Sequence, residues 1–220
     1  MDRSAIILVG GFSSRFGQDK GLLFLADKPL ARYVLDAVNN VVEEKILVTS
    51  SKDQAENYRK VLGSDVKVLI DRASIDRTGT DRAQSPLVGA LAGFKEAHGR
   101  HTLLLPCDTP FISRDVISLL FELCMDRNAI IPRWPNGCVE PLQAVYRSEP
   151  AFEAARSALN EGKLNMQSMI DKLLSVRYVS TLVLEQIDQK LSTFFNINNI
   201  SDLKKAENIL KQKRNARLFS

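Results

Sequence analysis

A short apolar run, Ala5 to Val9, stops on a glycine pair, Gly10-Gly11. That junction restricts the fold more than anything else in the chain. A run of this length bounded by glycine reads as a buried strand. The residues that follow are mostly polar or small, and among them Arg15 and Lys20 are cations with reach. Glycines just past a central strand let backbone N–H groups face a ligand with no Cβ in the way. Amides presented in this manner bind anions, phosphates above all. Arg15 can grip a phosphate with its fork, and Lys20 can act as a point charge.

Two familiar phosphate loops do not fit. A Walker A loop ends Gly-Lys-Ser/Thr, whereas Lys20 stands between Asp19 and Gly21. The dinucleotide fingerprint needs three spaced glycines, and Gly10-Gly11-Phe12-Ser13 lacks that spacing. The plain alternative is an ordinary glycine-rich turn. The full string, with Arg15, Gly17, Asp19 and Lys20 in place, favours an anion site.

The 220 residues suffice for one α/β domain with a full core. A net charge of +4 suits an anionic substrate and is too small to argue for nucleic acid. No apolar run approaches the ~20 residues of a membrane span. The first apolar run begins at Ala5, so no signal peptide is expected. Cys107, Cys124 and Cys138 fit neither a zinc pattern nor a disulfide framework, which points to a reducing cytoplasm.

Along the chain, Pro29 opens a helix whose buried stripe is Leu30, Tyr33, Val34, Ala37, Val38 and Val41. Strands are expected at Lys45–Thr49 and Val66–Ile70, with a surface helix at Gln54–Leu62 between them. This alternation predicts a parallel sheet with helices on both faces. In such sheets ligands sit at the carboxyl ends of the strands, so Gly10-Gly11 and Asp71 should share one edge. Asp71 to Gln84 is a charged loop in which Arg72, Arg77 and Arg82 alternate with acids, by default pairing locally. A helix is expected at Leu87–His98, then a central strand, His101–Leu105, that leads into Pro106-Cys107-Asp108-Thr109-Pro110-Phe111.

Asp108 emerges just past that strand between prolines, well placed for a divalent cation; magnesium needs only one or two carboxylates. A turn-forming role is the alternative. Ser113 is the better cap for the helix Arg114–Met125. His98 and His101 read as surface or helix-end residues. Further strands are expected at Ala129–Pro132, Gly137–Tyr146, Val176–Leu184 and Phe194–Asn198. Helices are expected from Ser148 to Leu159, from Leu164 to Leu174 and from Ser201, as cap, to Gln212, and Lys211–Arg217 as a solvated basic tail. Glu140 is open between an acceptor-facing and a structural carboxylate.

The loop string, written L-x-G-G-x-S-x-R-x-G-x-D-K-x-L-L, resembles the signature of the molybdenum cofactor guanylyltransferases. Leu8, Gly10, Gly11, Ser13, Arg15, Gly17, Asp19, Lys20, Leu22 and Leu23 fall in register. Cys107-Asp108-x-Pro110-Phe111, Glu140-Pro141-Leu142 and Asn196-Ile197-Asn198 resemble later motifs of that family. Ser85-Pro86-Leu87-Val88-Gly89 departs from the family's Gly-Pro-Leu-Ala-Gly, after a longer loop. The resemblance implies a GT-A nucleotidyltransferase fold: one three-layer α/β/α domain with a mostly parallel twisted sheet and one antiparallel strand, the latter at Gly137–Tyr146. Residues 1–110 would form the nucleotide-binding half, 111–205 the acceptor half and 206–220 a basic C-terminal helix and tail.

It further implies transfer of GMP from GTP to molybdopterin. Leu8, Gly10, Gly11, Ser13, Arg15 and Lys20 would hold the triphosphate, Asp71 the nucleoside and Asp108 Mg²⁺. Asn196 and Asn198 would lie near the acceptor and metal. Gly10-Gly11 favours guanine, since the sister cytidylyltransferases read Ala-Gly there. Protein partners would come from cofactor biosynthesis or from molybdoenzymes. A CTP-dependent or sugar-phosphate nucleotidyltransferase, and a non-catalytic GTP-binding subunit, are the competing functions.

Overall fold

The computed structural model describes residues 1–9, 12–13, 16–63, 65–71 and 85–218; for 12–13 and 213–218 only the backbone course is described. Gly10, Gly11, Arg15 and the charged segment 72–84 lie outside the described residues. Seven strands form one twisted sheet: β1 Arg3–Leu8, β2 Glu44–Thr49, β3 Lys67–Ile70, β4 His101–Pro106, β5 Ala129–Arg133, β6 Ala144–Arg147 and β7 Val176–Ser180. Their spatial order is β7-β5-β6-β4-β1-β2-β3. All pairings are parallel except those of β6 with β4 and β5. β1 and β4 are buried almost throughout, and apolar from Ala5 and Leu103 on, because both faces of the sheet are covered.

Alternate residues of the central strands feed two cores. Ala5, Ile7, Leu47, Leu103 and Leu105 pack under α1 (Leu30–Val38), α2 (Lys52–Leu62) and α4 (Arg114–Leu123). Ile6, Ile46, Val48 and Leu104 face α3 (Pro86–Glu96), α5 (Ser148–Asn160) and α6 (Met166–Ile170). The period of two in the strands thus divides one sheet between two helical layers. α3 comes unusually close to β1: a Cβ on Gly93 would stand 2.7 Å from Ile6 Cγ2. Three of these helices start on serine caps, with the Ser51, Ser85 and Ser113 hydroxyls accepting from the N–H three residues on.

The mostly parallel α/β/α sandwich with one antiparallel strand is as the sequence predicts, with local corrections. The antiparallel strand is Ala144–Arg147 rather than Gly137–Tyr146. Pro141 has no N–H for a ladder, and the Gln143 N–H closes a turn onto Glu140. Before that turn only Val139 bridges back to Arg133. The strand expected to reach Leu184 ends at Ser180, whose hydroxyl caps a short helix, α7 (Thr181–Leu184). Asn165 caps α6 and Asp171 ends it, so the helix expected at Leu164–Leu174 is shorter at both ends. Phe194–Asn198 is not a sheet strand. A 3-10 turn, Gln189–Phe194, precedes it, and Ile197 N–H donates to the Asp108 carbonyl.

The last helix, α8, runs Ile200–Leu218 and takes in the stretch expected as a tail. Its cap is Asn199, which accepts from Asp202 N–H, and not Ser201. Asp202 in turn accepts from Asn198 N–H. α8 and the Phe24–Leu25/Lys28–Pro29 hairpin share a third, small core around Leu25, Phe111, Ile197 and Ala206. His101 is buried in β4 rather than at the surface, because it lies on a central strand.

Candidate active site

The carboxyl ends of β1, β2, β3 and β4 open onto one cavity of about 300 Å³. Leu8 ends β1 and Val9 follows it, Thr49 ends β2 and Ser50 follows it, Asp71 follows β3, and Cys107 and Asp108 follow β4. Ser85 and Gly89 reach it from the start of α3, and Lys20 from the loop after β1. Asp71 is buried and pinned by its N–H to the Thr49 carbonyl at 2.7 Å. Strand order therefore brings together Leu8, Asp71 and Asp108, and the loop after β1 adds Lys20.

Lys20 is the hub. Its Nζ lies 2.5 Å from Asp108 Oδ2 and 2.8 Å from Asn198 Oδ1. Three distant segments meet there. The Asp108–Ile197 backbone bond carries Asn198 to Lys20, and the Asn199/Asp202 cap fixes the turn beyond it. Asn196 is exposed on the same segment. Phe12–Ser13 pairs with Gln18–Asp19 in a two-stranded ladder, so the signature loop folds back on itself before reaching Lys20. Gly10, Gly11, Arg15 and the Ser13 side chain lie outside the described residues.

The residue before Lys20 has a structural task. Asp19 Oδ1 accepts from Gly21 N–H at 3.0 Å and from Tyr58 Oη at 2.6 Å, and Oδ2 accepts from Gln54 Nε2 at 2.5 Å. Tyr58 is fully buried on α2, and burial pushes its phenol far above the usual range, so it acts only as a neutral hydroxyl. Gly21 makes room for it: a Cβ there would stand 2.1 Å from Tyr58 Oη. The Cys107 thiol borders the same spot. Burial, reinforced by the Asp108 and Asp19 carboxylates, pushes its pKa well above the ordinary value. It is therefore held as a thiol and is no nucleophile.

Asp108 Oδ1 is buried and has no hydrogen-bond partner among the described residues. A carboxylate oxygen without a donor, at the edge of a cavity, suits a hard divalent cation. No group of three or more His, Cys, Asp or Glu side chains gathers among the described residues. The donor set fits a cation that completes its shell with substrate phosphates and water. Glu140 does not line the cavity. Its Oε1 accepts from Trp134 Nε1 at 2.6 Å, and the indole packs edge-on against Phe194 at 5.6 Å. Its observed role is to hold that aromatic pair.

Sequence reasoning missed Gln54 and Tyr58. The signal for Gln54 was present: Ser51-Lys52-Asp53-Gln54 has the spacing of a capping box, which places the helix start at Lys52 rather than Gln54. Tyr58 carries no such signal, since its hydroxyl matters only through a contact 39 residues away in sequence.

Sheet order and cavity are those of a nucleotidyltransferase with a GT-A-like fold. Residues 5–176 match the family model described as the MobA-like NTP transferase domain, and the chain belongs to that family. It is 31% identical over 214 residues to the probable molybdenum cofactor guanylyltransferase of Methanosarcina mazei, covering 96% of this chain and 92% of the relative. To the molybdenum cofactor guanylyltransferase of Desulfosudis oleivorans it is 30% identical over 213 residues, covering 96% and 97%. The crystal structure of molybdopterin-guanine dinucleotide biosynthesis protein A from Archaeoglobus fulgidus superposes with a TM-score of 0.76 at 25% identity, covering 95% of this chain and 99% of that one.

Proposed function

We propose that this chain transfers GMP from GTP to the terminal phosphate of molybdenum-bearing molybdopterin, releasing pyrophosphate. The observation that carries the site assignment is the meeting of Lys20, Asp108 and Asn198 at the carboxyl edge of the sheet. The names of the relatives supply the base and the acceptor. An acceptor phosphate oxygen attacks the α-phosphorus of GTP. One P–O bond forms, the bond to pyrophosphate breaks, and no protein nucleophile is needed. Catalysis then rests on positioning and on charge neutralisation.

Lys20 neutralises triphosphate charge, and Arg15 and the amides of Gly10-Gly11 share that task. Asp71 holds the nucleoside at the end of β3. Asp108 would hold the divalent cation, Mg²⁺, which supplies charge screening between the phosphates. Asn196 and Asn198 face the acceptor. Residues 1–110 form the nucleotide half and 111–205 the acceptor half. No helix among the described residues is long and apolar enough to cross a membrane, and we place the reaction in the cytoplasm.

The test is incubation of the purified chain with molybdopterin, Mg²⁺ and either GTP or CTP, reading pyrophosphate and the dinucleotide by mass spectrometry. Guanine dinucleotide formed in preference to cytosine dinucleotide is expected. Equal or better turnover with CTP would assign the chain to the cytidylyl reaction instead.

A further inference from the structure

One amide side chain that does not itself line the cavity joins three of the segments that form its wall. Gln54 Oε1 accepts from Ser50 N at 2.7 Å and Ser50 Oγ at 3.1 Å. Its Nε2 donates to the Val9 carbonyl at 2.9 Å and to Asp19 Oδ2 at 2.5 Å. A primary amide has two lone pairs and two N–H groups, and here all are in use. The partners also fix which end is oxygen: an N–H donor on one side, a carbonyl and a carboxylate on the other.

Val9 follows β1, Ser50 follows β2, and Asp19 precedes Lys20; Val9, Ser50 and Lys20 all line the cavity. Tyr58, one helical turn on from Gln54, supplies the other side-chain donor to Asp19. The absence of a Cβ at Gly21 is what lets that hydroxyl approach.

A simpler role would be helix capping. Gln54 is the third residue of α2, where Gln commonly turns back to a backbone N–H just before the helix. Capping uses only the amide oxygen. The two bonds from Nε2 run away from the helix end, toward the strand edge and the signature loop, and capping does not require them.

We infer that Gln54, assisted by Tyr58, is a positioning residue for nucleotide binding: through Asp19 it sets where the Lys20 ammonium stands relative to Asp108. The inference rests on the reading of Lys20 as the triphosphate-binding cation. Glu at position 54 separates this role from capping. It keeps the oxygen that serves Ser50 and replaces the donor with an oxygen facing the Val9 carbonyl and the Asp19 carboxylate.

The experiment is a double-mutant cycle on the full chain. Dissociation constants for GTP and for CTP are measured by calorimetry, without acceptor, in wild type, Gln54→Glu, Lys20→Ala and the double variant. Gln54→Glu is expected to weaken the favoured nucleotide about tenfold, and to have less than a twofold further effect once Lys20 is gone. Tyr58→Phe should move in the same direction by a smaller factor and lose its effect in the same background. A Gln54→Glu affinity within twofold of wild type overturns the inference. An undiminished effect in the Lys20→Ala background also overturns it, since the residue would then act without Lys20. If Gln54→Glu does not fold, Gln54→Met is read by the same criteria. A wild type that binds CTP and not GTP overturns the guanylyl reading while the cycle, run on CTP, still decides the role of Gln54. A wild type that binds neither overturns both.

Discussion

Lys20 and Asp108 are 88 residues apart in the chain, and their charged atoms lie 2.5 Å apart at the mouth of the cavity. The pair is partly shielded, with side-chain exposures of 19% and 15%. Each residue thus neutralises the other. A triphosphate with its cation would replace one contact by two, anion on the lysine and metal on the carboxylate.

Replacing Lys20 with Ala should weaken GTP binding. A hydrogen bond to a charged group contributes about 1.5–3 kcal/mol, roughly ten- to 150-fold in affinity. Calorimetric titration of GTP into the variant measures the loss. Unchanged affinity would mean that the lysine serves only to pair Asp108.

Asp108→Asn should abolish metal-dependent transfer while sparing the fold, because Asn keeps the size and one carbonyl oxygen but loses the charge. Binding of GTP without metal should not weaken, since the change also frees Lys20 from its ion pair, and turnover with saturating Mg²⁺ should fall by orders of magnitude. Near-normal magnesium-dependent activity would place the cation elsewhere. Glu140 is then the next carboxylate to substitute, although its bond to Trp134 argues for a structural task.

Gly21→Ala should destabilise the chain through overpacking, typically about 1–3 kcal/mol. The new methyl would stand 2.1 Å from Tyr58 Oη and 3.3 Å from Cys107 Cβ, so the tyrosine must shift off Asp19. Urea denaturation reads the stability, and activity should suffer as well. A variant as stable as wild type would show that α2 can recede at no cost.

Stability should fall as pH drops below about 6.5, and His101 should be one cause. Burial lowers its folded-state pKa; Asp2 opposes this, while Arg100, Arg147 and Arg3 add to it. The unfolded chain therefore takes up the proton first, so the folded state loses ground as pH falls from the ordinary histidine value toward the lowered one. Above that window the residue contributes nothing to the slope. His101→Leu should flatten the unfolding free energy between about pH 7 and pH 5.5, a range set by the ordinary value. Its Nε2 has no hydrogen-bond partner among the described residues to lose. The acids Glu43 and Glu44, held below the usual carboxylate range, act only at lower pH. An unaltered slope in the variant would remove His101 as a source.

The sequence by itself determined the alternation of strands and helices that builds the centre of the sheet, because apolar period is a local signal; past Val176 it misread α7 and Phe194–Asn198 as strand and Ser201 as a cap. Ala5–Val9 reads as a buried strand from its length and its bounding glycines, and Ser113 reads as a helix cap; both hold in the structure. It also located Asp108 and Asp71 at strand ends, since a residue's place after a buried strand can be read without knowing its neighbours. What it could not supply was anything fixed by a contact across the sheet. The sandwich decided that Asn198 reaches Lys20, because a single backbone bond from Ile197 to Asp108 turns that segment away from the sheet. It decided that Glu140 serves an indole and that His101 is buried. It also decided that Gln54 and Tyr58, on a helix with a mostly polar sequence, hold the signature loop. Such roles depend on distances between residues far apart in the chain, and no local pattern of hydrophobicity encodes them.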